Sequence, residues 1–204
     1  GIAGGALTDH HTGAGLARGV MAAREAGLRL VLGVEISVED DSIHMLGLNV
    51  DPENAGLRQL LAKNTKARLD RARESLFKLN TLAANGRPMK LTLKEVLAYK
   101  LNARRKAERL QPVDPASMTE ERMLAEIGII TRPDIAMTLV QKGYVPSADA
   151  AFSRYLGDEG EAASELAGPA FAEAIRVIHG AGGLPVRYGI APDNFEKLLA
   201  VSTK

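Results

Sequence analysis

A chain of 204 residues with 46% hydrophobic side chains has ample core material and suits one elaborated domain or two small ones. It contains no cysteine, which excludes disulfides and thiolate metal sites, and no apolar run reaches the roughly 20 residues of a membrane span. Aromatic residues make up only 4%, so Leu, Ile, Val and Ala carry the packing. The net charge of +1 hides an asymmetry: between Lys63 and Arg109 fourteen Lys or Arg face four acids, a local excess of +10 that points to a polyanionic partner.

The first residues, Gly1-Ile2-Ala3-Gly4-Gly5, have neither a basic start nor a long apolar stretch, so no signal peptide is expected. The expected compartment is the cytoplasm, or an organelle matrix after processing. The chain does not begin with Met, which leaves an upstream segment open.

Ala6-Leu7-Thr8 is short and apolar and runs into the polar cluster Asp9-His10-His11-Thr12. Leu16, Val20, Ala23 and Ala26 recur at helical spacing, and Gly27 is placed to stop that helix. Leu28 to Ile36 is rich in β-branched residues and predicts a buried strand. Acidic Glu39-Asp40-Asp41 marks a turn, and Ile43 to Leu48 predicts another strand. This organisation is α/β, with polar residues expected at strand ends, where parallel sheets and barrels place their chemistry.

From Pro52 the pattern becomes helical. Leu57, Leu60, Leu61, Leu69, Leu76 and Leu79 predict a long amphipathic helix ending near Gly86-Arg87-Pro88. Thr92 is placed to cap a second helix over Leu93 to Leu110, with Glu95 at its third position. A linker over Gln111 to Pro115 and helices from Thr119, Pro133 and Ser147 follow. The α/β pattern then resumes with a helix over 169–179, a Gly180-Ala181-Gly182-Gly183 turn, a strand near Leu184 to Arg187 and a helix from Asp193. Three segments result: 1–52 and 166–204 as parts of one α/β domain, and 53–165 as a helical insertion.

Three separated segments carry donor residues: Thr8-Asp9-His10-His11, Gly33-Val34-Glu35-Ile36-Ser37 and Ile43-His44. Imidazole with carboxylate suits Zn, Mn or Fe. Glu35 stands between Val34 and Ile36, and a carboxylate in an apolar strand is costly unless paired or bound to metal. By spacing alone, ordinary caps and strand-end polar groups are the favoured explanation of these residues, and a metal site the alternative.

Ala6-Leu7-Thr8-Asp9-His10, then Gly33-Val34-Glu35-Ile36-Ser37, then Ile43-His44-Met45-Leu46-Gly47-Leu48 with Asp51-Pro52, together resemble the polymerase-and-histidinol-phosphatase (PHP) domain family. Ile130-Thr131-Arg132-Pro133, Ala151 to Leu156 and Ala174 to Gly183 extend the resemblance in order over nearly the whole chain. It is nearest to the branch of bacterial nucleoside-3′,5′-bisphosphate phosphatases and 5′→3′ exoribonucleases. The resemblance implies a distorted seven-stranded β/α barrel, incomplete in this chain, with a helical insertion. It implies a phosphoesterase that hydrolyses nucleotide or RNA phosphate esters with metal-activated water, the cation being Mn, Zn, Fe or Mg. His10 matches a metal ligand with Asp9 beside it, Glu35 a carboxylate bridging two metals and His44 a ligand on the second. Arg132 is a candidate contact to a substrate phosphate.

The departures are specific. Asp134 occupies a position where the family has a ligand His; it is either a substitute ligand or an acid in the first turn of a helix. Leu184-Pro185-Val186 passes directly into Arg187-Tyr188, where the family has an Ala-His-Pro ligand segment. The family's opening His-x-His lies nowhere before Gly5, its closing Asp-x-His is expected beyond Lys204, and His11 stands where Asp is frequent. The expectation is therefore an impaired phosphoesterase whose metal is partly lost, or else a non-catalytic module that binds RNA through its basic section or a protein partner through open barrel edges. His179 is expected to close a helix, and Arg104-Arg105-Lys106 to form a solvated face without the aromatic residues that base stacking needs.

Overall fold

A computed structural model describes residues 3–10, 16–39 and 43–188, the side chains of His10, Ala17 and Tyr188 excepted. The chain divides into two compact units, Gly1–Ala67 with Leu166–Lys204, and Arg68–Glu165.

In the first unit, β1 (Gly4–His10), α1 (Leu16–Glu25) and β2 (Arg29–Val38) form a βαβ segment. Gly27, at φ +65°, ends the α1 connection in a conformation that suits glycine. β3 (Ile43–Leu48) and β6 (Leu184–Tyr188) complete a sheet of order β1-β2-β3-β6. Only β1 and β2 run parallel; β2–β3 and β3–β6 are antiparallel. The sheet is therefore mixed and its second and third strands form a hairpin, in contrast to the simple strand–helix alternation expected at a parallel sheet. Among the described residues four strands make up this sheet.

Strand alternation gives β2 two different faces. Val34, Ile36 and Val38 join Ile43 and Met45 of β3 in a buried layer, covered by Leu57 and Leu60 of α2 (Ala55–Leu79) and by Phe171, Ala174 and Ile178 of α7 (Phe171–Gly180). Ala174 and Ile178 are four residues apart, so one stripe of α7 supplies both. Glu35 and Ser37 take the opposite face. Gly33 belongs there too: a Cβ on it would lie 2.7 Å from Thr8 Cγ2 and 2.8 Å from the Gly47 carbonyl.

The second unit holds the end of α2, the two-residue strands β4 (Ala83–Ala84) and β5 (Arg87–Pro88), α3 (Leu93–Ala107), α4 (Glu120–Ile127), α5 (Arg132–Gln141) and α6 (Ala148–Ala151). A 3-10 turn covers Pro115–Ser117, and a π-helical turn, Phe152–Leu156, continues α6. Its separate core includes Leu79, Leu97, Leu101, Met123, Leu139 and Tyr155. α2 ends at Leu79, earlier than expected, because the chain turns into a hairpin through Asn85 and Gly86, both at positive φ (52° and 76°). Asn-Gly is the pair such a two-residue turn demands. The expected cap of α3 is present in full: Glu95 N donates to Thr92 Oγ1 at 3.2 Å, and Thr92 N donates to Glu95 Oε2 at 2.7 Å. Thr119 and Ser147 likewise cap α4 and α6. The helix expected from Asp193 lies outside the described residues. Among the described residues no helix is long and apolar enough to cross a membrane.

Partial burial works to raise the Glu95 pKa, but hydrogen bonds from Lys142 and from the Thr92 amide and hydroxyl outweigh it and hold the carboxyl below its usual range. A carboxylate depressed in the folded state contributes stability at neutral pH that is lost as pH falls through the folded pKa. Thr92→Ala is therefore expected to cost about 1 kcal/mol at neutral pH. Glu95→Gln is expected to cost about 0.5 kcal/mol at neutral pH, discounted for its exposure, with the gap closing as the pH falls below the ordinary carboxylate range. Urea unfolding across that pH range checks both.

Candidate metal-site residues

The sheet register brings together residues that are far apart in the three donor segments. Glu35 lies opposite Leu46 and Ser37 opposite His44, so Glu35 and His44 are diagonal neighbours on one face of the hairpin. His44 Nδ1 lies 2.8 Å from Glu35 Oε1. A carboxylate only accepts, so the imidazole donates at Nδ1, which leaves Nε2 as the basic nitrogen. Glu35 is only 9% exposed, and His44 is half-buried. Hence the carboxylate that is costly in an apolar strand has an imidazole partner at hydrogen-bond distance. Glu35 sits in the middle of β2 instead of at its end, because β2 continues to Val38.

On the neighbouring strand, the parallel register aligns His10 with Glu35 and Asp9 with Val34. Alternation thus groups position 10 with the Glu35 face and half-buried Asp9 with the opposite one. β1 extends through both residues, beyond the short segment expected over Ala6 to Thr8. His11 lies outside the described residues. Ser37, quoted in the motif without a role, is fully buried opposite His44.

Asp134 and Arg132 belong to the helical unit, at the start of α5. Asp134 Oδ2 accepts from Thr131 N (2.8 Å), Thr131 Oγ1 (2.6 Å) and Lys100 Nζ (2.9 Å). All three bonds fall on one oxygen, and Oδ1 accepts none among the described residues. Arg132 Nη1 donates to the Leu156 carbonyl (3.3 Å) and to Asp158 Oδ1 (2.7 Å). It ties the start of α5 to the π turn and the loop after it. His179 lies in the last turn of α7 and is exposed, as expected of a residue at a helix C-terminus. Among the described residues no group of three or more His, Asp or Glu could hold a metal ion. The donor chemistry of Glu35 and His44 fits a divalent cation, but two donors fall short of the three or four that such sites use.

No protein-family model matches the chain. It is 31% identical over 201 residues to a 5′-3′ exoribonuclease of Haemophilus influenzae, covering 95% of this chain and 62% of that protein. Over 71 residues, 34% of this chain and 25% of the other, it is 39% identical to a 3′,5′-nucleoside bisphosphate phosphatase of Chromobacterium violaceum. The fold is similar to a solved structure from Bifidobacterium adolescentis assigned as a metal-dependent phosphoesterase, with a TM-score of 0.71 and 25% identity over 98% of this chain and 65% of that one. These relatives fit the resemblance to the PHP family. The chain spans about 60% of the length of the exoribonuclease it matches. The expected PHP resemblance therefore stands, and the mixed α/β fold resembles PHP phosphoesterase folds.

Because His44 is a hydrogen-bond partner of a buried carboxylate, His44→Ala is expected to cost about 1–3 kcal/mol in urea unfolding. Glu35→Gln, which keeps an acceptor for Nδ1, is expected to cost less than Glu35→Leu. Equal losses for the Gln and Leu variants would show that the hydrogen bond contributes nothing.

Proposed function

We propose that this chain carries a reduced form of the PHP metal centre and hydrolyses nucleotide or RNA phosphate esters slowly. The observation that carries the reading is the 2.8 Å Glu35–His44 pair on a polar sheet face, at the positions where the family resemblance assigns metal ligands. The proposed donors on the α/β segments are His10, Glu35 and His44, with Asp9 as a further candidate that the register places on the opposite face of β1. Asp134 stands at a further ligand position, where Oδ1 is the atom it has to offer. A bound Mn, Zn, Fe or Mg ion would activate water and neutralise charge at the phosphoryl group. Glu35 supplies negative charge, and its hydrogen bond orients His44 so that Nε2 is the donor. Arg132, with its planar guanidinium, is the proposed phosphate contact, although Leu156 and Asp158 engage it in this structure. We place the four strands in a distorted seven-stranded barrel, with 1–52 and 166–204 as its parts and 53–165 as the insertion.

Two internal features support reduced activity. Aspartate replaces histidine at position 134, and β6 runs unbroken through Leu184–Tyr188, with no Ala-His-Pro ligand segment. Each lost ligand lowers metal affinity. The compartment that suits such substrates is the cytoplasm.

Metal analysis of the purified chain with hydrolysis of adenosine 3′,5′-bisphosphate tests the proposal. The expected result is no more than one tightly bound cation and slow turnover that stops with chelator. Glu35→Gln or His44→Ala is expected to lower kcat/KM by about 100-fold or more. Turnover that survives both chelator and Glu35→Gln would refute the assignment, and two or more tightly bound cations would refute the reduced centre.

A second reading draws on Asp134, whose carboxylate is engaged by Thr131 and Lys100. In that reading the chain is a non-catalytic PHP-type module that associates with RNA or, through open sheet edges, with a protein. No bound metal and no turnover with added Mn²⁺ would select it.

A further inference from the structure

A cleft of about 1250 Å³ lies along α3, wholly within the helical unit. Glu95, Ala98, Tyr99, Asn102, Ala103 and Lys106 line it. They recur at three- and four-residue spacing, so one stripe of the helix faces the cavity. The loop around Pro112 and Pro115 and the end of α5 contribute the remaining lining. Both are fixed to α3. The Asn102 side chain bonds Val113 twice, accepting from its N–H at 2.8 Å and donating to its carbonyl at 3.1 Å. Arg105 Nε donates to the Gln111 carbonyl at 2.6 Å, and Lys142 of α5 pairs with Glu95. The walls are ordered before any ligand arrives, which lowers the entropic cost of binding.

The charge within the cleft is one-sided. Lys94, Lys106, Arg109 and Lys142 line it against the single carboxylate of Glu95. Glu95 and Lys142 engage each other, whereas Lys94, Lys106 and Arg109 make no ion pair or side-chain hydrogen bond among the described residues. Half-buried Tyr99 adds an aromatic ring beside them. Cations with a ring in a partly apolar groove match a flexible strand that presents both phosphates and unstacked bases. A base-paired duplex would keep its bases from Tyr99.

We propose that the α3 cleft binds single-stranded RNA, with Tyr99 as a stacking face and Lys94, Lys106 and Arg109 on phosphates. The ligand class rests on the nucleotide- and RNA-phosphoesterase reading above, but the cleft contains none of the metal-site candidates.

Fluorescence anisotropy with a short labelled oligoribonucleotide tests this on the full chain, with EDTA present to silence any metal site. The expected result is salt-sensitive binding of the single strand and weaker binding of the matching duplex. The triple variant Lys94→Ala, Lys106→Ala, Arg109→Ala is expected to raise Kd at least about tenfold and to reduce the salt slope by about 2. Tyr99→Ala is expected to weaken binding about fivefold or more, and Tyr99→Phe, which keeps the ring, to stay within about twofold. A control triple of exposed cations outside the cleft, Arg73→Ala, Lys90→Ala and Arg122→Ala, is expected to stay close to the unmodified chain. Circular dichroism verifies the fold of each variant. No binding by the unmodified chain, equal losses in the two triples, or equal affinity for the duplex would each overturn the proposal. Hydrolysis of adenosine 3′,5′-bisphosphate, measured separately, reports on the metal-centre reading alone, so a failure of RNA binding and a failure of that reading are told apart.

Discussion

The register between β2 and β3 is the constraint on which the candidate site depends. With Glu35 opposite Leu46 and Ser37 opposite His44, Val34, Ile36 and Val38 enter the apolar layer while Glu35 meets His44 on the other face. A slip of β2 by one residue would drive Glu35 into that layer and expose three β-branched side chains. The cost of an unpaired buried carboxylate and the loss of apolar burial oppose that slip together. The same packing that stabilises the α/β unit thus fixes the distance between two donors nine residues apart in sequence.

The local elements were largely legible because each had a local cause. The Thr92–Glu95 capping box, the caps at Thr119 and Ser147, the Gly27 stop and the strand Ile43–Leu48 all follow from residues within a few positions of one another. Misreadings arose where distant pairing decides. The short gap at Glu39-Asp40-Asp41 excludes a parallel pairing of β2 with β3, which needs a crossover of about a dozen residues, but it does not fix which residues stand opposite one another. The Asn85-Gly86 hairpin did carry a signal, but it was absorbed into the end of a long amphipathic run.

For the site, residue types were legible and neighbours were not. Glu35 and His44 stood out as polar residues in apolar strands, yet their contact is a diagonal pairing across the hairpin that no spacing rule gives. The basic run Arg104-Arg105-Lys106 has no aromatic companion adjacent to it in the sequence. Tyr99 precedes Lys106 by seven residues, two helical turns, and so shares its face, while Arg105 faces elsewhere and holds the Gln111 carbonyl. On a helix, residues three, four or seven apart share a face, and adjacent ones do not.

Asp134, where the resemblance implies a ligand histidine, has structural work of its own at the start of α5. An acid at the third position of α5 is stabilised by the helix N-terminus and by the Thr131 amide, the Thr131 hydroxyl and the Lys100 ammonium, all on Oδ2. Histidine at that position would lack the carboxylate that pairs with Lys100, whose side chain is largely buried. The substitution therefore carries its own structural gain, independent of any metal. A cation drawing on Oδ1 would have to share the carboxylate with Lys100, and the repulsion between two positive charges would weaken both interactions. If Asp134 served as a ligand, metal affinity and the stability of the α5 start would thus be opposed at this residue. Removing the ammonium, as in Lys100→Met, shifts that balance toward the cation while costing the helical unit an ion pair.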